Sequence, residues 1–290
     1  MEREKLILKG IEAALKAGDE IRKVYERPIQ AIKKKDFSPL TEADLNSDKV
    51  IRETLKATRI SVISEENVPP PSKRKGKKRF WLVDPLDGTR EFVERNGQFC
   101  VSIALIEEGN PTIGIIYAPA TDILYVASID DKPFKVQGAG YVKNYITSYE
   151  EWKEHGEQLK QYVPDEEEPL RVIASAHHLN EETQQFIYLL ERVFGEVELT
   201  QKGSALKFIA IATGEADVYP RIAPINEWDI AAGVLFVKKM GGSVVQFPSG
   251  EEITFGSDEL KAPPFVAWAT DSLRKQFEQE LKEQNIALSE

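Results

Sequence analysis

The chain has 290 residues, 41% of them apolar and 30% charged, and a formal net charge of −10. That is an ordinary globular composition, long enough for one large domain or two intimate ones. The acidic balance disfavours a nucleic-acid polymer or an anionic membrane as partner, because polyanions are repelled at long range; a small anionic substrate stays possible where bound cations invert the charge of a carboxylate cluster.

Cys100 is the only cysteine, which excludes an intrachain disulfide and points to a reducing compartment. The opening Met1-Glu2-Arg3-Glu4-Lys5 has no long apolar run behind it. Neither a signal peptide nor a membrane span is expected, and the expected location is cytoplasmic.

Leu6, Ile7, Ile11, Ala14, Leu15 and Ile21 fall near helical spacing and predict an amphipathic helix over 2–26. Thr41-Glu42-Ala43-Asp44 reads as a capping box that opens a second helix. A short apolar run, 60–63, leads into Ser64-Glu65-Glu66. Pro69-Pro70-Pro71 and the basic tract from Lys73 to Arg79 then predict an exposed loop. Phe80-Trp81-Leu82-Val83 reads as a buried strand running into Asp84. Strands follow at 99–106, 112–117, 123–127 and 134–136, punctuated by Gly, Asn, Pro and Asp.

The polar, acidic stretch 147–168 is the expected boundary between a half spanning 1–150 and a half spanning 151–290. Beyond it, strands at 172–174, 217–219, near Val244 and at 265–269 alternate with helices near 181–191, 204–213, 229–239 and at the C-terminus. A sheet-and-helix half followed by an α/β half predicts layered sheets and helices, an α+β fold.

The strongest local signal is Asp84-Pro85-Leu86-Asp87-Gly88-Thr89. Two aspartates three apart, in a turn stiffened by Pro85, can face one hard cation, with the Leu86 carbonyl between them. Gly88 permits close backbone approach, and Thr89 can open a short helix whose free N–H groups face a phosphate oxygen. Asp-Gly-Thr alone is equally a plain strand-to-helix turn with capping side chains. The preceding Asp84-Pro85 shifts the balance to a metal site. Haloacid-dehalogenase-type phosphatases space their aspartates two apart, not three.

Glu65 alone reads as a loop edge and Asp229, in Trp228-Asp229-Ile230-Ala231-Ala232-Gly233, alone reads as a helix N-cap. Together with Asp84 and Asp87, both fall where a strand ends or a helix begins, the place where sites gather in layered folds. Two like charges ~4 Å apart repel by about 4 kcal/mol at an effective dielectric near 20. Such carboxylates converge only around protons or cations. Two cations roughly 3.5–4 Å apart suit phosphoryl transfer to water.

With these three blocks in this order, the chain resembles the lithium-sensitive, magnesium-dependent inositol monophosphatase superfamily over about residues 5–270. Within it, the stretch 90–99 after Asp-Gly-Thr, Gly203-Ser204-Ala205-Leu206-Lys207 and Val218-Tyr219-Pro220-Arg221 are similar to the 3′(2′),5′-bisphosphate nucleotidases. The resemblance implies a five-layer αβαβα sandwich of the sugar phosphatase type and two or three Mg²⁺ ions. It places the metals on Glu65, Asp84, the Leu86 carbonyl, Asp87 and Asp229. Thr89 and Asp44 would orient and deprotonate the attacking water, while Glu65 shares in catalysis. The Gly88 and Thr89 amides would seat the scissile phosphate. Ser204, Lys207 and Arg221, with His178 and Asp229, would hold the rest of the substrate, and Lys and Arg suit a second phosphate.

The implied reaction is hydrolysis of the 3′-phosphate of 3′-phosphoadenosine 5′-phosphate to AMP and phosphate by metal-activated water. The implied protein is a monomer or homodimer whose partner is a small phosphorylated nucleotide. The same metal site acting on inositol monophosphate or a sugar bisphosphate is one alternative; a non-catalytic cation-binding regulatory protein is another. Ser175-Ala176-His177-His178 departs from the family by lacking an Arg; His178 takes the family's His position, and a partly exposed surface pair is the plain alternative. His155 reads as solvated and Cys100 as core.

Overall fold

The computed structural model describes residues 2–33, 39–164, 168–174 and 180–284. Helix α1 (Arg3–Tyr25) buries the apolar stripe expected of it, from Leu6 through Ile21 to Val24. Strands β1 (Ala31–Lys33) and β2 (Pro39–Thr41) pair as a small ribbon before α2 (Glu42–Leu55). Next come β3 (Ser61–Ser64), a short helix α3 (Pro71–Arg74), β4 (Arg79–Asp87) and a short α4 (Thr89–Val93). The proline-and-lysine tract is exposed at residues 70–73, as expected, but holds one helical turn within the expected loop; Pro71 sits at N1, where its missing N–H costs nothing.

The meander β5 (Cys100–Glu107), β6 (Asn110–Ala118), β7 (Ile123–Ser128) and β8 (Phe134–Gln137) follows, then α5 (Ala139–Val142), α6 (Tyr149–His155) and β9 (Glu157–Gln158). These strands form one seven-stranded sheet in the order β3-β4-β5-β6-β7-β8-β9, antiparallel except for the parallel β3–β4 pair. Because β9 pairs with β8, the first sheet runs past the expected division at 150, and we propose a boundary in the segment leading to residue 170.

The second half contains β10 (Leu170–Ala174), α7 (Glu181–Phe194), β11 (Val197–Gln201), α8 (Leu206–Thr213), β12 (Val218–Arg221), β13 (Ile225–Asn226) and α9 (Glu227–Lys239). It ends with β14 (Ser243–Gln246), β15 (Lys261–Ala262), β16 (Phe265–Trp268) and α10 (Asp271–Glu283). Its five-stranded sheet runs β11-β10-β12-β16-β14, parallel on the β11 side and antiparallel on the β16 side. Sequence reading missed β11, an edge strand whose Glu198, Leu199 and Gln201 are exposed, so no buried alternation marks it.

Three cores hold five layers. Helices α1 and α2 cover the outer face of the first sheet through Leu6, Ile11, Ile51, Trp81 and Tyr117. Helices α8 and α9 fill the space between the sheets, packing Phe208, Ile230, Val234 and Phe236 among Leu82, Ile116, Val244 and Phe265. Helices α7 and α10 cover the outer face of the second sheet with Phe186, Leu190 and Phe277. Approach in the middle layer is close: a Cβ on Gly233 would meet the Phe208 ring at 2.3 Å. No helix among the described residues is long and apolar enough to cross a membrane.

Candidate active site

The carboxylates gather at one end of the sandwich, where β3 and β4 stop and α9 starts. A strand alternates faces with period two, so Asp84 and Asp87 would point to opposite sides of a regular β4. They do not, because the register with β5 shifts between them: Asp84 faces Ser102 and Asp87 faces Cys100. The irregularity absorbs one residue at Pro85-Leu86 and returns Asp87 to the Asp84 side. The Leu86 N–H donates to Asp84 Oδ1 at 3.0 Å and stiffens this turn.

Gly88 follows at φ 89°, where a side chain would be strained and a Cβ would lie 3.0 Å from the Gln98 carbonyl oxygen. Helix α4 is only one turn long but firmly seated. Its fully buried Phe92 lies 5.2 Å from the Tyr25 ring and 5.1 Å from the Phe99 ring.

The expected capping box is present at α2. Thr41 accepts the Ala43 N–H, and Asp44 Oδ2 accepts both the Thr41 N–H at 2.7 Å and the Thr41 hydroxyl at 2.6 Å. Those bonds turn the other oxygen, Oδ1, toward the cleft, where it accepts the Thr89 hydroxyl at 2.9 Å. The Leu86 carbonyl lies 3.1 Å from the same hydroxyl. A helix cap and the Thr89–Asp44 pair are thus one piece of geometry.

Helix α9 begins two residues earlier than expected, at Glu227, with Asn226 in the cap position. Asp229 is therefore not the N-cap; it sits within the first turn and accepts the Asn226 backbone N–H. Glu227, fully buried, accepts the Gly256 N–H at 2.7 Å and the Ser257 N–H at 2.9 Å, while its own N–H donates to the Leu260 carbonyl. This clasp ties the 256–260 loop to the first turn of α9.

Glu65, Asp84 and Asp229 bring carboxylate oxygens within 4.8 Å of one another, and Asp87 lines the same cleft. Loss of solvation, then the charges of Glu65, Asp87 and Asp229, push the Asp84 carboxyl well above the usual range. Asp229 is raised in the same way by burial, Asp87 and Glu65, against the Asn226 N–H and Lys261. Burial lifts Asp87 to about 7 although Lys207 and the Ala205 N–H oppose it. Carboxylates held this close and out of water keep their protons unless a counter-charge lies among them, and a divalent cation fits that place. Glu65, Asp84, Asp87, Asp229 and the Leu86 carbonyl are all oxygen donors on the cleft wall.

The facing wall is cationic. Ser204, at φ 53°, and Lys207 come from the turn into α8, and Arg221 from the end of β12. The Ala205 N–H bonds Asp87 Oδ2, which joins the walls. Lys207 Nζ donates to the Ser204 carbonyl at 2.8 Å and sits 5.3 Å from the centre of the Tyr219 ring. Arg221 keeps a buried Nε with no hydrogen-bond partner. The cavity between the walls measures about 480 Å³, room for a small-molecule ligand.

Asp44, Glu65, Asp84, Leu86, Asp87, Gly88, Thr89, Ser204, Lys207, Arg221 and Asp229 are thus brought to one cleft. His178 lies outside the described residues, with His177. Cys100 is buried core beneath Asp87, and His155 is exposed. Sequence reading missed Lys261, Asn226 and the Glu227 clasp: Lys261 reaches the cavity only through pairing of β15 with β13, and no motif surrounds it.

A layered sandwich whose strand ends gather carboxylates around a cleft of small-molecule size defines a class, and the chain belongs to it: it matches the inositol monophosphatase family over residues 2–284. That family is metal-dependent. Among its members, the chain is 38% identical over 237 residues to the 3′(2′),5′-bisphosphate nucleotidase CysQ of Salmonella typhimurium, across 80% of this chain and 87% of the relative. The CysQ of Escherichia coli strain K12 is 37% identical over the same shares. The crystal structure of CysQ from Bacteroides thetaiotaomicron superposes with a TM-score of 0.83 at 36% identity, across 91% of this chain and 97% of that one.

Proposed function

We propose that the chain is a Mg²⁺-dependent phosphoric monoester hydrolase that removes the 3′-phosphate of 3′-phosphoadenosine 5′-phosphate, releasing AMP and phosphate. The observation that carries this reading is the joining of two walls in one cavity. A buried carboxylate cluster lies beside the Thr89–Asp44 bond on one side, and the Lys207–Arg221 wall faces it. The names borne by the CysQ relatives support the substrate.

Glu65, Asp84, the Leu86 carbonyl, Asp87 and Asp229 would hold the metal. Bound there, Mg²⁺ neutralises phosphate charge and makes water a stronger acid. The chain's own groups do the rest. Thr89 Oγ1 donates its hydrogen bond to Asp44 Oδ1, which leaves its lone pairs free to accept a hydrogen bond from the attacking water; as that water's proton passes to Oγ1, the hydroxyl proton passes on to Asp44. Asp44 is held in place for this by both bonds from Thr41. The Gly88 and Thr89 amides seat the scissile phosphate, which Gly88 alone among residue types can approach without strain at φ 89°. Ser204, Lys207 and Arg221 line the side where the nucleotide and its second phosphate lie.

The test is phosphate release from 3′-phosphoadenosine 5′-phosphate with and without Mg²⁺, beside inositol 1-phosphate at equal concentration. Strong, Mg²⁺-dependent release from the nucleotide is expected. Preference for the inositol ester would overturn the substrate while sparing the metal site.

A further inference from the structure

The cations of the cavity are not equivalent. Lys207 is 7% exposed and spends its ammonium on the Ser204 carbonyl, the Tyr219 ring and attraction to Asp87. It braces the floor beneath the two walls. Arg221 and Lys261 are different. Arg221 presents a guanidinium whose Nε is buried without a partner. Lys261 is exposed on a two-residue strand, and its ammonium contacts the neutral amide oxygen of Asn226. Neither side chain forms an ion pair among the described residues, although 48 acids populate this chain.

Topology places these two charges together. Arg221 ends β12 beside Phe265 of β16. The chain then turns through β13, where Asn226 pairs with Lys261 of β15, four positions ahead of Phe265. The loop that leads into Lys261 is fastened by two side chains. The Glu227 carboxylate anchors Gly256 and Ser257, and Arg74 donates to the Ser257 and Asp258 carbonyls at 3.2 and 2.7 Å. A fastened loop therefore delivers an exposed ammonium, with no ion-pair partner among the described residues, to the cavity that Arg221 also lines.

We infer that Lys261 is a specificity-determining residue: with Arg221 it binds the second anionic group of the substrate, the phosphate that is not cleaved. The inference rests on the bisphosphate-nucleotide reading above. A guanidinium supplies directed hydrogen bonds, and the ammonium adds a point charge that follows the phosphate on a flexible stem. Leaving Asn226 for a dianion exchanges a neutral acceptor for a charged one, which favours the exchange only when that phosphate is present.

The experiment compares 3′-phosphoadenosine 5′-phosphate with adenosine 3′-phosphate, which keeps the scissile group and lacks the other. Both are assayed on the full chain with Mg²⁺, for wild type, K261M and K261R. The ratio of kcat/KM between the two substrates is expected to fall about tenfold in K261M through KM, and to return toward wild type in K261R. A ratio unchanged in K261M, with bisphosphate hydrolysis intact in wild type, overturns the role of Lys261 and leaves the nucleotidase reading standing. A wild type that prefers inositol 1-phosphate to both nucleotides overturns reading and inference together. Thermal melting of each variant accompanies the assay; should K261M fail to fold, a K261R ratio equal to wild type supports the charge requirement and a tenfold loss in K261R overturns it.

Discussion

The two walls of the cavity are built by different means. The acidic wall comes from strand ends and a helix start whose backbone is locked: a register shift in β4, a left-handed Gly88, a capping box at Thr41 and the Glu227 clasp. Its short Asp and Glu side chains have little reach of their own, so backbone geometry must set the spacing. The cationic wall comes from long side chains on α8, β12 and β15, where the stems supply the reach. A cation site demands fixed distances; recognition of a second phosphate tolerates adjustment. Damage to the first wall should abolish chemistry, and damage to the second should redistribute substrates.

The largest effect is expected at Asp87. D87N keeps the shape and removes one ligand charge, so kcat should fall by about 10³-fold or more, since a metal ligand supports several kcal/mol of transition-state stabilisation. Turnover close to wild type would break the assignment of the acidic wall. T89A should lower kcat by roughly 10²-fold with KM little changed, because it removes the proton path to Asp44 without touching a carboxylate. A change confined to KM would move Thr89 from the chemistry to binding.

E227A sharpens the comparison from the side of stability. It empties a fully buried site and takes from the Gly256 and Ser257 N–H groups their charged acceptor, and a loss of about 2–5 kcal/mol is expected in urea denaturation. E227Q keeps one acceptor oxygen and should lose less.

The smallest effect concerns pH. Asp84, Asp87 and Asp229 all have carboxyls raised in the fold, Asp87 to about 7. A raised carboxyl binds its proton more tightly folded than unfolded. Its contribution to stability is therefore full at acid pH and is lost as pH rises toward the folded value. In chelator, the melting temperature should fall by a few degrees between about pH 5 and 7.5, and Mg²⁺ should reverse more of that fall the higher the pH. A Mg²⁺-induced shift independent of pH would show that these carboxyls do not exchange protons for the cation.

How much of this was legible in the sequence follows from how local each feature is. The amphipathic stripe of α1, the Thr41–Asp44 box and the Asp84–Thr89 motif are set by neighbours within a turn or two, and residue order alone displays them. Three-residue spacing of Asp84 and Asp87 was legible as well, but not how it works, because the register shift exists only against β5. The start of α9 was misplaced because Asn226 and Glu227 are fixed by β15 and by the 256–260 loop, more than twenty residues downstream. β11 carried no buried alternation to read.

By itself the sequence determined the chemistry available: oxygen ligands at strand ends, a hydroxyl beside a carboxylate, and cations in segments of known resemblance. Tertiary structure alone decided which of those groups share a cavity, because cation ligation and hydrogen bonding act only over about 2–3 Å. Glu65, Asp84 and Asp229 meet only when α9 packs against the first sheet. Lys261 joins them through a strand pair of two residues, a contact that no pattern along the chain foretells.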